Sequence, residues 1–432
     1  MAHEAKILGW RQRRPTTVAF VMLKRLLPLL CCAAPLAGQG VDCDGFLTRM
    51  AVAPGFCVRA FATQVGDVRH LVVHPSGVVV AATRSPPGLL RLEDTDQDGR
   101  ADASVRFGPG EGGSGVAWRD GWLYFATDNA IYRYRWPAAS RAPDTLSELV
   151  AEGLPESGNG YAHNAKGIAF GRDGALYVSV GSATDNCQVD EDIAQPGRFP
   201  CPDLLKRAGV WRLAPSPGAT TWARVQVATG LRNAMAIGVD PGSGRVWGIT
   251  HGRDFLGKLW SWSATESAMQ PAELLVEIKP GTDFGWPYCM GYYQPAQTKL
   301  VPAPEYQGNT AAAADCSKKT APSAGFPGHW APMGLTFAPS TWPAEWSHGM
   351  VIAFHGSRSR APLPEDGHYV VYLATDASGS PVGEPRILLR SLGAAGTLRP
   401  AGVAFTSTGM LYVSDDDHGI VYRIEPRMPN HP

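Results

Sequence analysis

Gly167-Ile-Ala-Phe-Gly-Arg-Asp173-Gly174-Ala-Leu176-Tyr-Val-Ser-Val180 is two short apolar runs around an Asp-Gly pair. Apolar β-formers on both sides of a two-residue Asp-Gly turn predict a β-hairpin. The pattern recurs five more times. Leu71-Val-Val-His74 leads through Ser76-Gly77 to Val78–Ala82, and Gly115-Val-Ala-Trp118 leads through Asp120-Gly121 to Leu123-Tyr-Phe-Ala126. Ala236-Ile-Gly-Val239 leads through Pro241–Gly244 to Val246-Trp-Gly-Ile249, and Gly334-Leu-Thr-Phe337 leads to Met350-Val-Ile-Ala-Phe354. Gly402-Val-Ala-Phe405 leads through Thr408-Gly409 to Leu411-Tyr-Val-Ser414. A third strand is predicted after each hairpin, at Gly88–Leu92, Ala130–Tyr134, Gly209–Leu213, Lys258–Trp262, Tyr369–Leu373 and Gly419–Ile424. Such a unit cannot bury both faces alone, so neighbours must stack around an axis. The expected fold is all-β, a six-bladed β-propeller with antiparallel four-stranded blades over residues 41–432. Phe56–Gln64 alternates ahead of the first copy and is expected to close the last blade as its outer strand.

Composition narrows the function classes. The 432 residues carry 39 basic and 39 acidic side chains, a balance that gives no support to a nucleic-acid partner or an anionic membrane surface. The 49 Gly and 36 Pro in a chain that is 44% hydrophobic point to many tight turns around a real core. Residues 1–40 read as a targeting segment: Lys24 and Arg25, then apolar Leu26 to Ala34, then small Ala37 and Gly38, with Met22 a second candidate start beside Met1. That is the layout of a secretory signal, too short for a stable membrane span. Arg13-Arg14 resembles a twin-arginine signal, but Lys24 and Arg25 interrupt the pattern. A periplasmic or secreted location is expected. Beyond Cys31 and Cys32, six cysteines remain, and their order suggests disulfides 43–57, 187–201 and 289–316. There is no Cys-x-x-Cys for zinc and no Cys-x-x-Cys-His for a c-type haem.

Loops leading into equivalent strands of a propeller open on one face. His163, Arg232 with Asn233, His329 and Arg399 all lie on such loops, so they are expected to converge although far apart in sequence. Loops leaving the second strands add Asp185, Asn186, His251, Asp254, His355, Arg358 and Asp415 to Asp417. An arginine fork matches carboxylates two bonds at a time, and an imidazole suits general-base work near neutral pH. The set reads as a site for an anionic, planar ligand. No Gly-x-Ser-x-Gly elbow, dinucleotide fingerprint or phosphate loop accompanies it. Elsewhere, Asp94, Asp96 and Asp98 alternate before Gly99 as in the first half of a calcium loop, but Val105 stands where an EF-hand has its last glutamate. A structural calcium site and a solvated turn both remain open there.

In this order and spacing the motifs resemble the soluble glucose/sorbosone dehydrogenases that use pyrroloquinoline quinone. The markers are His163 before the Asp173-Gly174 turn, Gly230-Leu-Arg-Asn233, His251-Gly-Arg-Asp254, Asp283-Phe-Gly-Trp-Pro-Tyr288, Ala331-Pro-Met-Gly-Leu-Thr-Phe337, Phe354-His-Gly-Ser-Arg358, and Arg399-Pro-Ala-Gly-Val-Ala-Phe405 with Tyr422-Arg-Ile424. The resemblance covers about residues 50–426 and implies a six-bladed propeller, as the repeats do. It implies that His163 is the base taking the hydroxyl proton of a sugar or aldehyde hydrate while hydride passes to the quinone. Arg232 and Asn233 would face the quinone, Arg399 would meet a cofactor carboxylate, and the carbonyls of Gly252 and Arg253 would hold calcium, flanked by His251 and Asp254. His355 and Arg358 lie nearest the place of a family lysine that has no clear match. Ala162 and Ala401 replace an acid and a second arginine of the glucose-oxidising branch, which favours the sorbosone-like branch. The reading implied is a calcium- and quinone-dependent dehydrogenase of a sugar, sugar aldehyde or related polyol, passing electrons to a separate acceptor such as a cytochrome. Two rivals stand beside it: a propeller hydrolase of the calcium lactonase type, which would want acidic ligands on the axis, and a non-catalytic binding propeller.

Overall fold

The computed structural model describes residues 43, 49–158, 163–189, 197–295, 297–306, 312–361, 363–392 and 398–427. The targeting segment expected over 1–40 lies outside them. Six antiparallel sheets follow one another along the chain. Blade 1 runs Asp67–Val73, Val79–Ser85, Gly88–Glu93 and Ala103–Phe107, and blade 2 runs Gly113–Arg119, Trp122–Thr127, Ile131–Arg135 and Ser147–Ala151. Blade 3 is Ile168–Phe170, Leu176–Val180, Gly209–Ala214 and Ala223–Thr229; blade 4 is Ala236–Val239, Val246–Thr250, Glu273–Ile278 and Ala324–Phe326. Blade 5 is Pro332–Phe337, Gly349–Ser357, Asp366–Ala374 and Arg386–Ser391. Blade 6 takes Pro400–Phe405, Leu411–Asp415 and Ile420–Pro426 from the end of the chain and Phe56–Thr63 from its beginning. Phe56 pairs opposite Pro426, so the ring closes by joining early and late segments, as the alternation of 56–64 predicts. Met50–Val52 adds a fifth strand to blade 5, and the short Thr282–Asp283 pairs in parallel with the last strand of blade 3.

The two-residue periodicity becomes the core. Val79 and Ala81 face blade 6, packing with Phe61, Ala404 and Tyr412. Val78, Val80 and Ala82, between and beside them in sequence, face blade 2 and pack with Val116, Phe125 and Trp136. Successive side chains of a strand point to opposite faces, so each blade feeds two apolar layers. One such cluster occupies each of the six interfaces between blades. The first strand of each blade lies innermost, where neighbours crowd. A Cβ on Gly167 would stand 2.2 Å from the Met235 carbonyl oxygen, and one on Gly402 would stand 2.5 Å from that of Arg69. The glycine that opens several of the repeats is therefore a steric requirement of close approach.

On the axis Met235, Met333 and Ala401 form a small buried cluster, with Ala165 packed against it. Ala401, where the resemblance implies a second arginine in the glucose-oxidising branch, is fully buried against these methionines. An Ala401→Arg chain has no room for its side chain and no partner for its charge, so it is expected to lose about 3 kcal/mol or more. Chemical denaturation of the variant checks this; unchanged stability would mean the axis is open to solvent.

One correction concerns blade 4. Lys258–Trp262, expected as a strand, is largely helical: α1 spans Leu256–Trp260 and α2 spans Ala264–Met269, and the third strand is Glu273–Ile278. Ser263 and Glu266 cap α2 reciprocally. That Ser-x-x-Glu signature was present in the sequence and outweighs the weak alternation before it. The three disulfides are Cys43–Cys57, Cys187–Cys201 and Cys289–Cys316. Among the described residues no helix is long and apolar enough to cross a membrane.

Candidate functional site

Arg232 is the hub of the face onto which the incoming loops open. Gly230, at φ +74° and packed on the backbone of Gly285, ends the last strand of blade 3 and swings Leu231 to Asn233 inward. The Ser182 amide donates to the Arg232 carbonyl at 2.8 Å and the His251 amide to the Asn233 carbonyl at 2.9 Å, so blades 3 and 4 both grip this segment. The buried guanidinium donates through Nε to Asp185 O at 3.2 Å, through Nη1 to Gly252 O at 2.8 Å, and through Nη2 to Asp185 Oδ1 at 2.6 Å and Asp254 Oδ2 at 3.2 Å. Burial opposes its charge, but Asp185 and Asp254 outweigh burial and raise its pKa. On the far side of Asp254, His329 Nδ1 lies 3.1 Å from Oδ1 while its Nε2 faces the Ser267 carbonyl at 2.8 Å. Both ring nitrogens face acceptors, so this ring is an imidazolium. Burial opposes that charge, and the Asp254 bond and charge more than offset it, raising the His329 pKa. Burial likewise pushes the Asp254 carboxyl up, but the His329 bond and the Arg232 charge hold it well below the usual range.

Two other histidines are neutral by the opposite balance. His163 Nδ1 lies 3.1 Å from Ser182 Oγ and 3.2 Å from Ser182 O. The Ser182 hydroxyl proton is already given to Thr184 O at 2.6 Å, so His163 Nδ1 must be the donor and Nε2 carries the lone pair. Burial first, then the Arg232 and His251 neighbours, lowers the His163 pKa well below the usual imidazole range. His251 Nε2 donates to Pro332 O at 2.7 Å, which leaves Nδ1 to accept from the Asn233 amide at 3.4 Å. Burial and then Arg232 bring its pKa to about 4, against the Pro332 bond. Asn233 Oδ1 is buried with no hydrogen-bond partner among the described residues. A Cβ on Gly181 would stand 2.4 Å from His163 Cβ and 3.1 Å from Asn233 Oδ1, so these two side chains meet over that glycine.

A cleft of about 460 Å³ lies between blades 5, 6 and 1, lined by Asp67, Arg69, His355, Ser357, Ser359, Arg399, Asp416 and Asp417. Arg399 can only donate, so His355 Nδ1, 3.1 Å from Arg399 Nη2, accepts, and Nε2 donates to Asp416 Oδ1 at 2.7 Å. Arg69 Nη1 holds the other Asp416 oxygen at 2.9 Å. Burial raises the Asp416 carboxyl, but the His355 bond and the Arg69 and Arg399 charges outweigh it and keep it ionised. Ser359 lies on the cleft wall and is among the groups that lower the Asp254 pKa, which puts the cleft beside the Arg232 network.

The structure thus brings together His163, Arg232, Asn233, His251 and Asp254, with His355 and Arg399 across the adjoining cleft. Gly252 presents its carbonyl to Arg232, and Arg253 is buried and paired with Glu305. Arg358 lies in the short 3-10 turn Arg358–Arg360; its side chain is outside the described residues, as is Ala162. The aspartate hairpin is remote from this face. Carboxylate oxygens of Asp94, Asp96 and Asp102 lie within 4.8 Å of one another, while the Asp98 carboxylate instead accepts the Arg100 amide at 2.8 Å. Sequence reading missed Arg69, although it opens the first repeat much as Arg399 opens the sixth. It also missed Ser182, whose role depends on a hydroxyl proton that no motif reveals.

No curated protein matches the chain in sequence. Solved structures do match in fold. A calcium structure of the Trichoderma reesei carbohydrate-active enzyme of family AA12 superposes with a TM-score of 0.71 at 18% identity, covering 88% of this chain and 97% of that one. The holo form of the pyranose dehydrogenase PQQ domain from Coprinopsis cinerea gives 0.69 at 20%, covering 87% and 97%. The PQQ-bound aldose sugar dehydrogenase of Streptomyces coelicolor gives 0.54 at 18%, covering 87% and 99%. At these identities they establish a shared fold. The sequence profile of the TrAA12-like family matches residues 50–427, nearly the whole propeller, and the chain therefore belongs to the TrAA12-like family.

Proposed function

We propose that the protein is a dehydrogenase that uses pyrroloquinoline quinone to oxidise a sugar, a sugar aldehyde or a related polyol. The observation that carries this reading is His163, a neutral imidazole whose Nδ1 is pinned by Ser182 and whose Nε2 keeps its lone pair, next to a buried arginine network and a cleft where Arg69 and Arg399 stand beside Asp67, Asp416 and Asp417. The quinone, when bound, supplies the hydride acceptor. Its carboxylates suit Arg399 and Arg69 with His355 between them, and the unpartnered Asn233 Oδ1 is an acceptor for a ligand N–H or a cation. In this reading His163 takes the hydroxyl proton, and Arg232 keeps the field positive where negative charge develops.

Calcium is part of the proposal. Asn233 Oδ1 and the second lone pair of Gly252 O are hard oxygen donors of the kind calcium takes. Arg232 already donates to Gly252 O, and calcium, when bound, would supply positive charge beside the quinone. The calcium-named fold relative supports this reading. Asp94, Asp96 and Asp98 are kept as a separate structural calcium proposal, with Asp102 the better-placed third carboxylate. Electrons would leave to a separate acceptor, since the chain has no haem motif. Three disulfides fit an oxidising compartment, so we place the protein in the periplasm or outside the cell, with residues 1–40 as its export signal and 41–432 as one domain. The sorbosone-like branch stays part of the proposal on Ala162 and Ala401, where the resemblance implies an acid and a second arginine in the glucose-oxidising branch. The lactonase rival would want acidic ligands on the axis, and Arg232 with Arg399 argue against it.

Purified protein given calcium and pyrroloquinoline quinone is expected to quench the free quinone's fluorescence stoichiometrically. It should then reduce an artificial dye with at least one member of an aldose and aldehyde panel. Failure to bind the quinone removes the dehydrogenase reading and leaves a binding propeller.

A further inference from the structure

Lys166 is fully buried, and among the described residues no carboxylate pairs with it. Its ammonium donates to the Pro155 carbonyl at 3.2 Å and to the Asn164 carbonyl. Asn164 in turn bonds Ser157 twice: its Nδ2 donates to Ser157 O at 2.8 Å, and its Oδ1 accepts the Ser157 amide at 2.9 Å. These four bonds draw Pro155 and Ser157 against Asn164 and close a neck in the chain. His163 stands at that neck. Its other supports come from across it: its amide donates to Ser182 O at 3.0 Å, and Gly167 is jammed against the Met235 carbonyl of blade 4. The ring is thus held by Ser182 of blade 3, and the backbone that carries it runs directly into Asn164 of the neck.

A buried ammonium held only by neutral carbonyls is an expensive way to fill space. Burial brings the Lys166 pKa to about 8, with Asp128 and Glu156 favouring the charge and Arg207 and Arg84 opposing it. A methionine would fill the same volume without that cost. What it could not do is tie two carbonyls together. We propose that Lys166, acting with Asn164, is a positioning residue that closes the neck of the loop presenting His163 and so sets the imidazole for proton transfer. This rests on His163 being the base.

The test is Lys166→Met in the full chain. Turnover with quinone, dye and the best substrate is expected to fall by about tenfold to a hundredfold, the scale of a misplaced reacting group, with KM and quinone affinity unchanged. Melting temperature should hold or rise, because a buried charge is gone. Turnover unchanged within about twofold overturns the proposal. A readout independent of activity separates this from failure of the dehydrogenase reading: the His163 ring resonances should shift in Lys166→Met and stay put in a control at the exposed Lys258. Unmoved resonances reject the neck whatever the enzyme does. If Lys166→Met does not fold, Asn164→Ala removes the Ser157 half of the same neck, and the same kcat loss and resonance shift are required of it.

Discussion

His163→Gln is expected to reduce quinone-dependent turnover by about 10²–10⁴-fold, the usual contribution of a positioned general base. Quinone affinity should change little, because the ring is held by Ser182 and does not line the cleft of Arg69 and Arg399. Glutamine can still donate to Ser182, so the substitution removes basicity more than structure. The pH profile sharpens the prediction. Burial and the Arg232 and His251 neighbours lower the His163 pKa, so its basic form persists as pH falls through 6.5. Wild-type kcat should therefore show no acid limb at the ordinary imidazole value; its acid limb should lie well below. An acid limb near 6.5, or a Gln variant within tenfold of wild type, means that another group takes the proton.

The same residues show what the sequence could and could not reveal. Hairpins such as Gly167–Val180 are local objects, fixed by a two-residue period and an Asp-Gly turn, and six of them in series leave few architectures open. Convergence of His163, Arg232 and His251 follows from topology, since equivalent loops of a propeller share a face. Side-chain direction does not follow from it. Arg232 turns toward Asp185, Asp254 and Gly252 O, a choice made by three segments from two blades. The α1–α2 excursion was obscured because Leu256 to Trp262 offers alternation and helix period at once and α1 has no side-chain cap; only α2 carries a capping signature, Ser263 with Glu266. Ala401 was read as a missing charge because the resemblance implies a second arginine there in the glucose-oxidising branch. Two residues along an innermost strand separate the cleft from the axial methionines.

Arg232→Ala carries the other large effect, on stability and activity together. It removes the cation between Asp185 and Asp254, whose side chains are 3% and 26% exposed. Deleting one partner of a buried ion pair leaves an uncompensated charge and typically costs about 3–5 kcal/mol. Asp254 would keep His329, and Asp185 would keep Arg253 Nε at 3.7 Å and the Asp254 amide at 3.0 Å, so the lower end of that range is expected. Arg232→Lys should not restore the wild type, because one ammonium cannot span Asp185 O, Asp185 Oδ1, Gly252 O and Asp254 Oδ2 with the planar fork's geometry. The electrostatic consequence has a definite sign. Arg232 is a cation that lowers the pKa of both His163 and His251; without it both should rise, while remaining depressed by burial, which is the larger cause. The acid limb of any residual turnover should accordingly move to higher pH than in the wild type, and the His163 ring should titrate higher by NMR. Quinone affinity should fall as well, because the guanidinium's positive field favours an anionic ligand. An Arg232→Ala protein that is destabilised but binds quinone normally would confine Arg232 to holding Asp185, Asp254 and Gly252 in place. A protein whose His163 titration is unmoved would show that burial alone keeps that imidazole neutral.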